Sequence, residues 1–128
     1  MRPDLIALDM DGTLLDGQGR VSPRAAAAIA ALLDLGTHVI LATGRPPRMT
    51  RPYVLDLGLE HAVVYNGASR YRAAEDTSLH HHELTREAAL EIIDRLRRAH
   101  PDIGLGMETA HGWYLDPAME ERRRAHPR

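Results

Sequence analysis

The sequence predicts an α/β fold: a Rossmann-like parallel sheet with covering helices, followed by the start of a smaller α+β module. Three short apolar runs at residues 5–8, 39–42 and 62–65 alternate with two segments of helical spacing. Strand–helix–strand order favours parallel strands joined by crossover helices. In such sheets, ligands bind beyond the carboxyl ends of the strands.

The two intervening helices have recognisable limits. Ser22 followed by Pro23 is typical of an N-cap with proline at the first helical position, and Gly36 is placed to end this helix. The second helix is predicted over residues 49–57, with Pro52 accommodated only if it lies in the first turn.

After about residue 70 the pattern changes, and we predict a first module at residues 1–76 and a second at 77–128. Thr85 is placed to cap a helix with an apolar stripe, and the alternation at 103–107 followed by residues 112–115 predicts a hairpin. The charged run at 120–124 is expected to form a solvated helix face rather than a phosphate or nucleic-acid site.

Composition excludes several function classes. The 128 residues carry 16 basic side chains, all arginine, against 18 acidic ones, giving a net charge of −2 and no electrostatic reason for a nucleic-acid or membrane partner. Cysteine is absent, which excludes disulfides and thiolate chemistry. No apolar run reaches the ~20 residues that span a bilayer. We therefore expect a cytoplasmic protein, and leave its oligomeric state open.

Two carboxylates, Asp9 and Asp11, follow the first apolar run and precede Gly12. Carboxylates at the mouth of such a sheet suit Mg²⁺, and an aspartate beside the cation can attack a phosphoryl group. A second carboxylate can protonate the leaving oxygen and then accept a proton from water. Asp-Gly is also a common turn pair, so a plain turn is the competing interpretation. Thr43 and Gly44, after the second run, favour a phosphate site.

These segments resemble a known family. DMDGTLL at residues 9–15 is similar to the first motif of the haloacid dehalogenase-like (HAD) phosphohydrolase superfamily, and VILATGR at 39–45 to its second. VSP at 21–23 and YNGA at 65–68 resemble the Cof-type subgroup, which has a large α+β cap of type IIB. The resemblance covers residues 4–70 well and continues loosely to about 116.

The resemblance implies a Mg²⁺-dependent phosphatase that hydrolyses a small phosphate monoester, such as a sugar phosphate, through an aspartyl-phosphate on Asp9. It implies that Asp11 is the general acid/base and that Mg²⁺ lies between the Asp9 carboxylate and the Asp11 main-chain carbonyl. Thr43 is expected to hydrogen-bond the phosphoryl group, and Gly44 to allow close backbone approach.

Arg45 and Asn66 are expected near the same cleft as substrate-binding residues. Arg45 is equally well explained as a solvated residue at a helix start.

Two motifs of the family do not occur in this sequence. There is no lysine to steady an aspartyl-phosphate, and Asp94, Asp102 and Asp116 do not follow a buried strand in the family's acidic pattern. We therefore interpret the chain as an N-terminal portion: half of the core and the beginning of the cap. Alone, it is expected to be marginally folded and nearly inactive.

Several alternatives stay open. A non-catalytic phosphate-binding or regulatory module would keep the aspartates and Thr43 without turnover, whereas a receiver domain would carry its aspartate after a later strand and use a lysine. His80 and His82 share a strand face and can chelate a metal, although a solvated edge strand is favoured. For Trp113 and Tyr114, core packing is favoured over a substrate cleft.

Overall fold

A computed structural model describes residues 3–109 and 112–126, which form two compact units dividing after His82. The first unit begins with alternating strands and helices, as the sequence predicts, and ends with two further strands. Its elements are β1 (Leu5–Leu8), α1 (Pro23–Asp34), β2 (His38–Ala42), α2 (Pro47–Asp56), β3 (His61–Val64), β4 (Ser69–Arg72) and β5 (Thr77–His81).

The five strands form one sheet in the order β1-β2-β3-β4-β5. The first three are parallel, with Leu8 opposite Leu41 and Leu41 opposite Ala62, whereas β4 and β5 run antiparallel to their neighbours. The parallel part confirms the predicted fold class, and it brings the carboxyl ends of β1, β2 and β3 to one edge of the sheet.

Only one face of this sheet is buried. Val39 and Leu41 of β2 are at most 4% exposed, and their neighbours on β3 and β4 are buried with them. On the opposite face, Leu5 is 55% exposed and Ala7 is also exposed. The other face stays uncovered because of the handedness of the crossovers. The chain passes from β1 to β2 to β3 in one direction across the sheet, and right-handed connections in one direction put α1 and α2 on the same side.

The helix starts follow the sequence signals, with one exception. The Ser22 hydroxyl accepts a hydrogen bond from the Ala25 amide at 3.1 Å, which confirms the predicted cap of α1. The second helix begins two residues earlier than predicted, so Pro52 lies inside α2 rather than in its first turn. The expectation for Pro52 is therefore wrong.

The boundary between the units also differs from the predicted division at 76/77. Strand β5 pairs with β4, with Arg72 opposite Thr77 and Ser69 opposite His81. These residues therefore belong to the first unit, and the division lies at 82/83. The polar composition of residues 70–76 suggested a module boundary, but the segment forms a strand and the turn that leads to an edge strand.

The second unit contains α3 (Arg86–Ala99), β6 (Gly106–Thr109), β7 (Gly112–Leu115) and α4 (Pro117–Ala125). The Thr85 hydroxyl caps α3 by accepting from the Ala88 amide, and β6 pairs with β7 as an antiparallel hairpin. In the described part of this unit no residue is fully buried. An apolar cavity of about 360 Å³ lies between α3 and the hairpin, lined by residues that include Ile92, Ile93, Leu96 and Tyr114.

The hairpin corrects one expectation. Trp113 is 51% exposed and Tyr114 is 60% exposed, so core packing is wrong for both side chains. A two-stranded sheet has too little surface to bury aromatic side chains. None of the helices among residues 3–109 and 112–126 has the length and apolar character to cross a membrane.

Candidate active site

The turn after β1 presents two aspartates at the sheet edge. The amides of Leu14 and Leu15 donate to the carbonyl of Met10, at 3.1 and 2.9 Å, and Met10 is itself fully buried. Gly12 has a φ of +77°, which an L side chain rarely adopts. This anchored turn leaves Asp9 and Asp11 exposed.

The two carboxylates are in different electrostatic environments. Arg45 donates from Nε and Nη2 to the two oxygens of Asp11, at 2.8 and 2.6 Å. This bidentate pair lowers the pKa of Asp11 and raises that of Arg45. The Asp9 carboxylate, by contrast, makes no hydrogen bond or ion pair with any other described residue. Asp9 is thus the carboxylate that is open to a ligand.

Thr43 is fixed at the carboxyl end of β2. The residue is 6% exposed, and its hydroxyl oxygen accepts from the Arg45 amide at 3.2 Å. Its own amide donates to the Val63 carbonyl, and its carbonyl accepts from the Asn66 amide at 3.1 Å. Because β1 and β2 are adjacent parallel strands, this places the Thr43 hydroxyl one strand away from the aspartates.

Gly44 and Asn66 approach each other closely. A Cβ at position 44 would lie 2.8 Å from the Asn66 Oδ1, which is too short for any real contact. Asn66 belongs to a strained turn, because Tyr65, Asn66 and Gly67 all have positive φ. The turn directs the Asn66 side chain over the backbone of Gly44, so the carboxamide belongs to the same sheet edge as Thr43.

Arg45 is therefore not a solvated residue at a helix start. Its side chain is 21% exposed, and its guanidinium lies between Asp11 and the ring of Tyr53. The six residues that the sequence indicates, Asp9, Asp11, Thr43, Gly44, Arg45 and Asn66, come together on three consecutive strand ends.

Comparisons with known proteins show the family of this chain. A family described as haloacid dehalogenase-like hydrolase matches residues 6–127. The chain belongs to this family. It is 34% identical over 95 residues to 5-amino-6-(5-phospho-D-ribitylamino)uracil phosphatase YitU of Bacillus subtilis, covering 73% of this chain and 35% of that protein.

Two further comparisons span nearly the whole chain. It is 31% identical over 123 residues to the HMP-PP phosphatase of Serratia proteamaculans, covering 95% of this chain and 44% of the relative. A HAD phosphatase from Bacteroides thetaiotaomicron, BT1666, has the same fold with a TM-score of 0.79 and 21% identity, covering 98% of this chain and 47% of that one. The chain thus spans less than half the length of the proteins it matches.

Other polar clusters of this HAD-family chain do not form a comparable site. His80 lies on β5, the strand at one edge of the sheet, and His82 lies one residue beyond its end; both are exposed. Within residues 3–109 and 112–126, no group of three or more His, Cys, Asp or Glu side chains is arranged to hold a metal. In the run at 120–124, which lies on α4, residues 121–124 are exposed, and Arg123 and Arg124 pair with Glu120.

Sequence reasoning missed one residue of the site, Tyr53. It lies on α2, eight residues after Arg45, and neither its spacing nor its neighbours indicate a role. Its ring meets the Arg45 guanidinium because α2 begins two residues after Arg45 and carries Tyr53 back towards that side chain.

Proposed function

We propose that this chain carries the nucleophile and the phosphate-binding residues of a Mg²⁺-dependent phosphatase that acts on a small phosphate monoester. The observation that carries the proposal is the meeting of an open Asp9 carboxylate, Asp11 and the Thr43 hydroxyl at adjacent strand ends. Two relatives are named as phosphatases, one of them for a small phosphorylated uracil derivative, which supports this substrate class.

In the proposed reaction, an Asp9 oxygen attacks the phosphorus and the bond to the ester oxygen breaks, leaving an aspartyl-phosphate. Asp11 gives a proton to the departing oxygen. A water molecule then attacks the same phosphorus while Asp11 takes back a proton; the bond between phosphorus and the Asp9 oxygen breaks, which frees the Asp9 carboxylate and inorganic phosphate. The sum is one ester and one water converted to an alcohol and phosphate.

The Arg45–Asp11 pair constrains the first of these steps. A general acid must carry a proton. The bidentate hydrogen bonds from Arg45 instead lower the Asp11 pKa and so favour the ionised carboxylate. A phosphate dianion competes for the same guanidinium, and its negative charge raises the pKa of a nearby carboxyl. We therefore expect Asp11 to become an acid only after substrate enters.

The donor types suit Mg²⁺, which prefers oxygen ligands. The Asp9 carboxylate and the Asp11 main-chain carbonyl would hold it, and the bound cation would offset repulsion between Asp9 and the phosphate. Thr43 and the Asn66 carboxamide would hydrogen-bond phosphate oxygens, with Gly44 allowing the close approach.

The test is trapping with beryllium fluoride and Mg²⁺, on the chain and on any longer natural form of it. We expect one beryllium adduct per chain in the wild type and none in Asp9→Asn. Asp4→Asn, which changes an exposed aspartate at the start of β1, is the matched control and should label normally. Labelling that persists in Asp9→Asn would overturn the assignment, and phosphate binding without labelling would favour a non-catalytic module.

A further inference from the structure

The Arg45 guanidinium has a second contact besides Asp11. Its Cζ lies 5.6 Å from the centre of the Tyr53 ring, within the range of a cation–π interaction. A long arginine side chain loses considerable rotamer freedom when it is held in one place. An aromatic wall beside the guanidinium reduces the number of orientations available to it, and thereby favours the one that meets Asp11.

Tyr53 is itself held at both ends. Its ring packs against the buried cluster of the first unit, and its hydroxyl donates to the Gly19 carbonyl at 2.7 Å. The hydrogen bond joins α2 to the loop after β1, over 34 residues of sequence. The ring therefore has little freedom to tilt.

The loop that receives this hydrogen bond is internally braced. Asp16 accepts from the backbone amides of Gln18 and Arg20, both at 2.9 Å, and from the Arg20 guanidinium. The Gly19 amide donates back to the Asp16 carbonyl at 2.9 Å. The Gly19 carbonyl is therefore a fixed point and not the tip of a loose loop.

We propose that Tyr53 is a positioning residue. Its ring, held in place by the hydrogen bond to the rigid 16–20 turn, restricts the Arg45 guanidinium and thereby sets the orientation of the Asp11 carboxylate. The inference rests on the proposed function for its catalytic meaning, since Asp11 is there the general acid/base. The ring orients Arg45, and the hydroxyl fastens the turn while also interacting with the Arg45 guanidinium.

The experiment follows the Nε–H of Arg45 by ¹H–¹⁵N NMR in the whole 128-residue chain. In the wild type we expect a resolved signal that exchanges slowly with water, because this N–H donates to Asp11 at 2.8 Å. Tyr53→Leu should accelerate that exchange about two- to fivefold, the equivalent of a lost exposed cation–π contact. Tyr53→Phe keeps the ring, so it should accelerate the Arg45 exchange less than Tyr53→Leu does, and it should deprotect the amides of Gly19 and Arg20.

Tyr114→Leu is the matched control, because Tyr114 is exposed and lies in the second unit. It should leave the Arg45 signal unchanged. In the unmodified chain, a nuclear Overhauser effect between the Arg45 side chain and the Tyr53 ring is expected, so the proposal is testable even where Tyr53→Leu fails to fold. Absence of this effect, or an unchanged Arg45 signal in a folded Tyr53→Leu chain, would overturn the proposal.

These results do not depend on turnover. If beryllium fluoride fails to label Asp9 while Tyr53→Leu releases Arg45, the proposed function fails and the positioning of Arg45 stands. If labelling succeeds and Arg45 is indifferent to Tyr53, the positioning role fails alone.

Discussion

Replacing Gly44 by alanine should weaken phosphate binding at the sheet edge while leaving the stability of the first unit nearly unchanged. The added Cβ would lie 2.8 Å from the Asn66 Oδ1 and 3.3 Å from its Cγ and Nδ2. Gly44 does not have the positive φ that would strain an alanine backbone. Because the Asn66 side chain is exposed, it can rotate away, and the clash is relieved by movement of one carboxamide.

The effect on stability is the difference of two small quantities. Forcing Asn66 from its preferred rotamer costs roughly 0.5–1.5 kcal/mol. Removing glycine from the unfolded chain contributes roughly 0.4–1 kcal/mol in the opposite direction. We therefore expect the free energy of unfolding to change by less than about 1 kcal/mol. Phosphate binding should weaken about two- to tenfold, because one hydrogen bond to the anion is lost.

Urea unfolding gives the stability, and titration with inorganic phosphate, followed at the Thr43 amide and the Asn66 side-chain amide, gives the affinity. Gly17→Ala is the control, since a Cβ there meets nothing within 4 Å and its φ is not positive. A Gly44→Ala chain that binds phosphate as tightly as the wild type, with its Asn66 signal unmoved, would refute the reasoning.

The remaining predictions concern packing, pH and completeness. Leu41→Ala removes a fully buried side chain and should lower the free energy of unfolding in urea by about 2–5 kcal/mol. Leu5 is 55% exposed, so Leu5→Ala should lower it by well under half of that amount. Equal losses of stability in the two variants would contradict the one-sided core. Hydrogen bonding from Arg123 lowers the Glu120 pKa from 4.5 to about 2. The contribution of Glu120 to the stability of α4 is therefore complete above pH 4.5 and is lost as the pH falls towards 2. A Glu120 titration midpoint near 4.5 by NMR would contradict this. The chain alone should be only marginally stable, because one sheet face is uncovered. It should show almost no metal-dependent hydrolysis of p-nitrophenyl phosphate, because the family's lysine and acidic motifs do not occur in it. A high melting temperature together with Asp9-dependent turnover would contradict both expectations.

Much of the local structure can be predicted from the residues alone. Ser22 and Thr85 cap helices because a hydroxyl beside a free helix amide acts within three residues of sequence. The strands at 5–8, 38–42 and 61–64 follow from short apolar runs, and the glycine after Asp11 provides the left-handed turn that presents the aspartates. Each of these features depends on residues that are close in sequence, so the sequence pattern is sufficient to predict it.

Contacts between distant residues required the tertiary structure. The apolar runs look alike on both faces, and only the common direction of the crossovers decides that Leu41 is buried while Leu5 is exposed. The register of β4 with β5 moves the unit boundary to 82/83. Arg45 meets Asp11, and Tyr53 meets Gly19, across 34 residues in each case. Such contacts depend on strand pairing and helix placement. Residue types in the sequence therefore indicate which side chains are candidates for the site, and the tertiary structure decides which of these side chains are in contact.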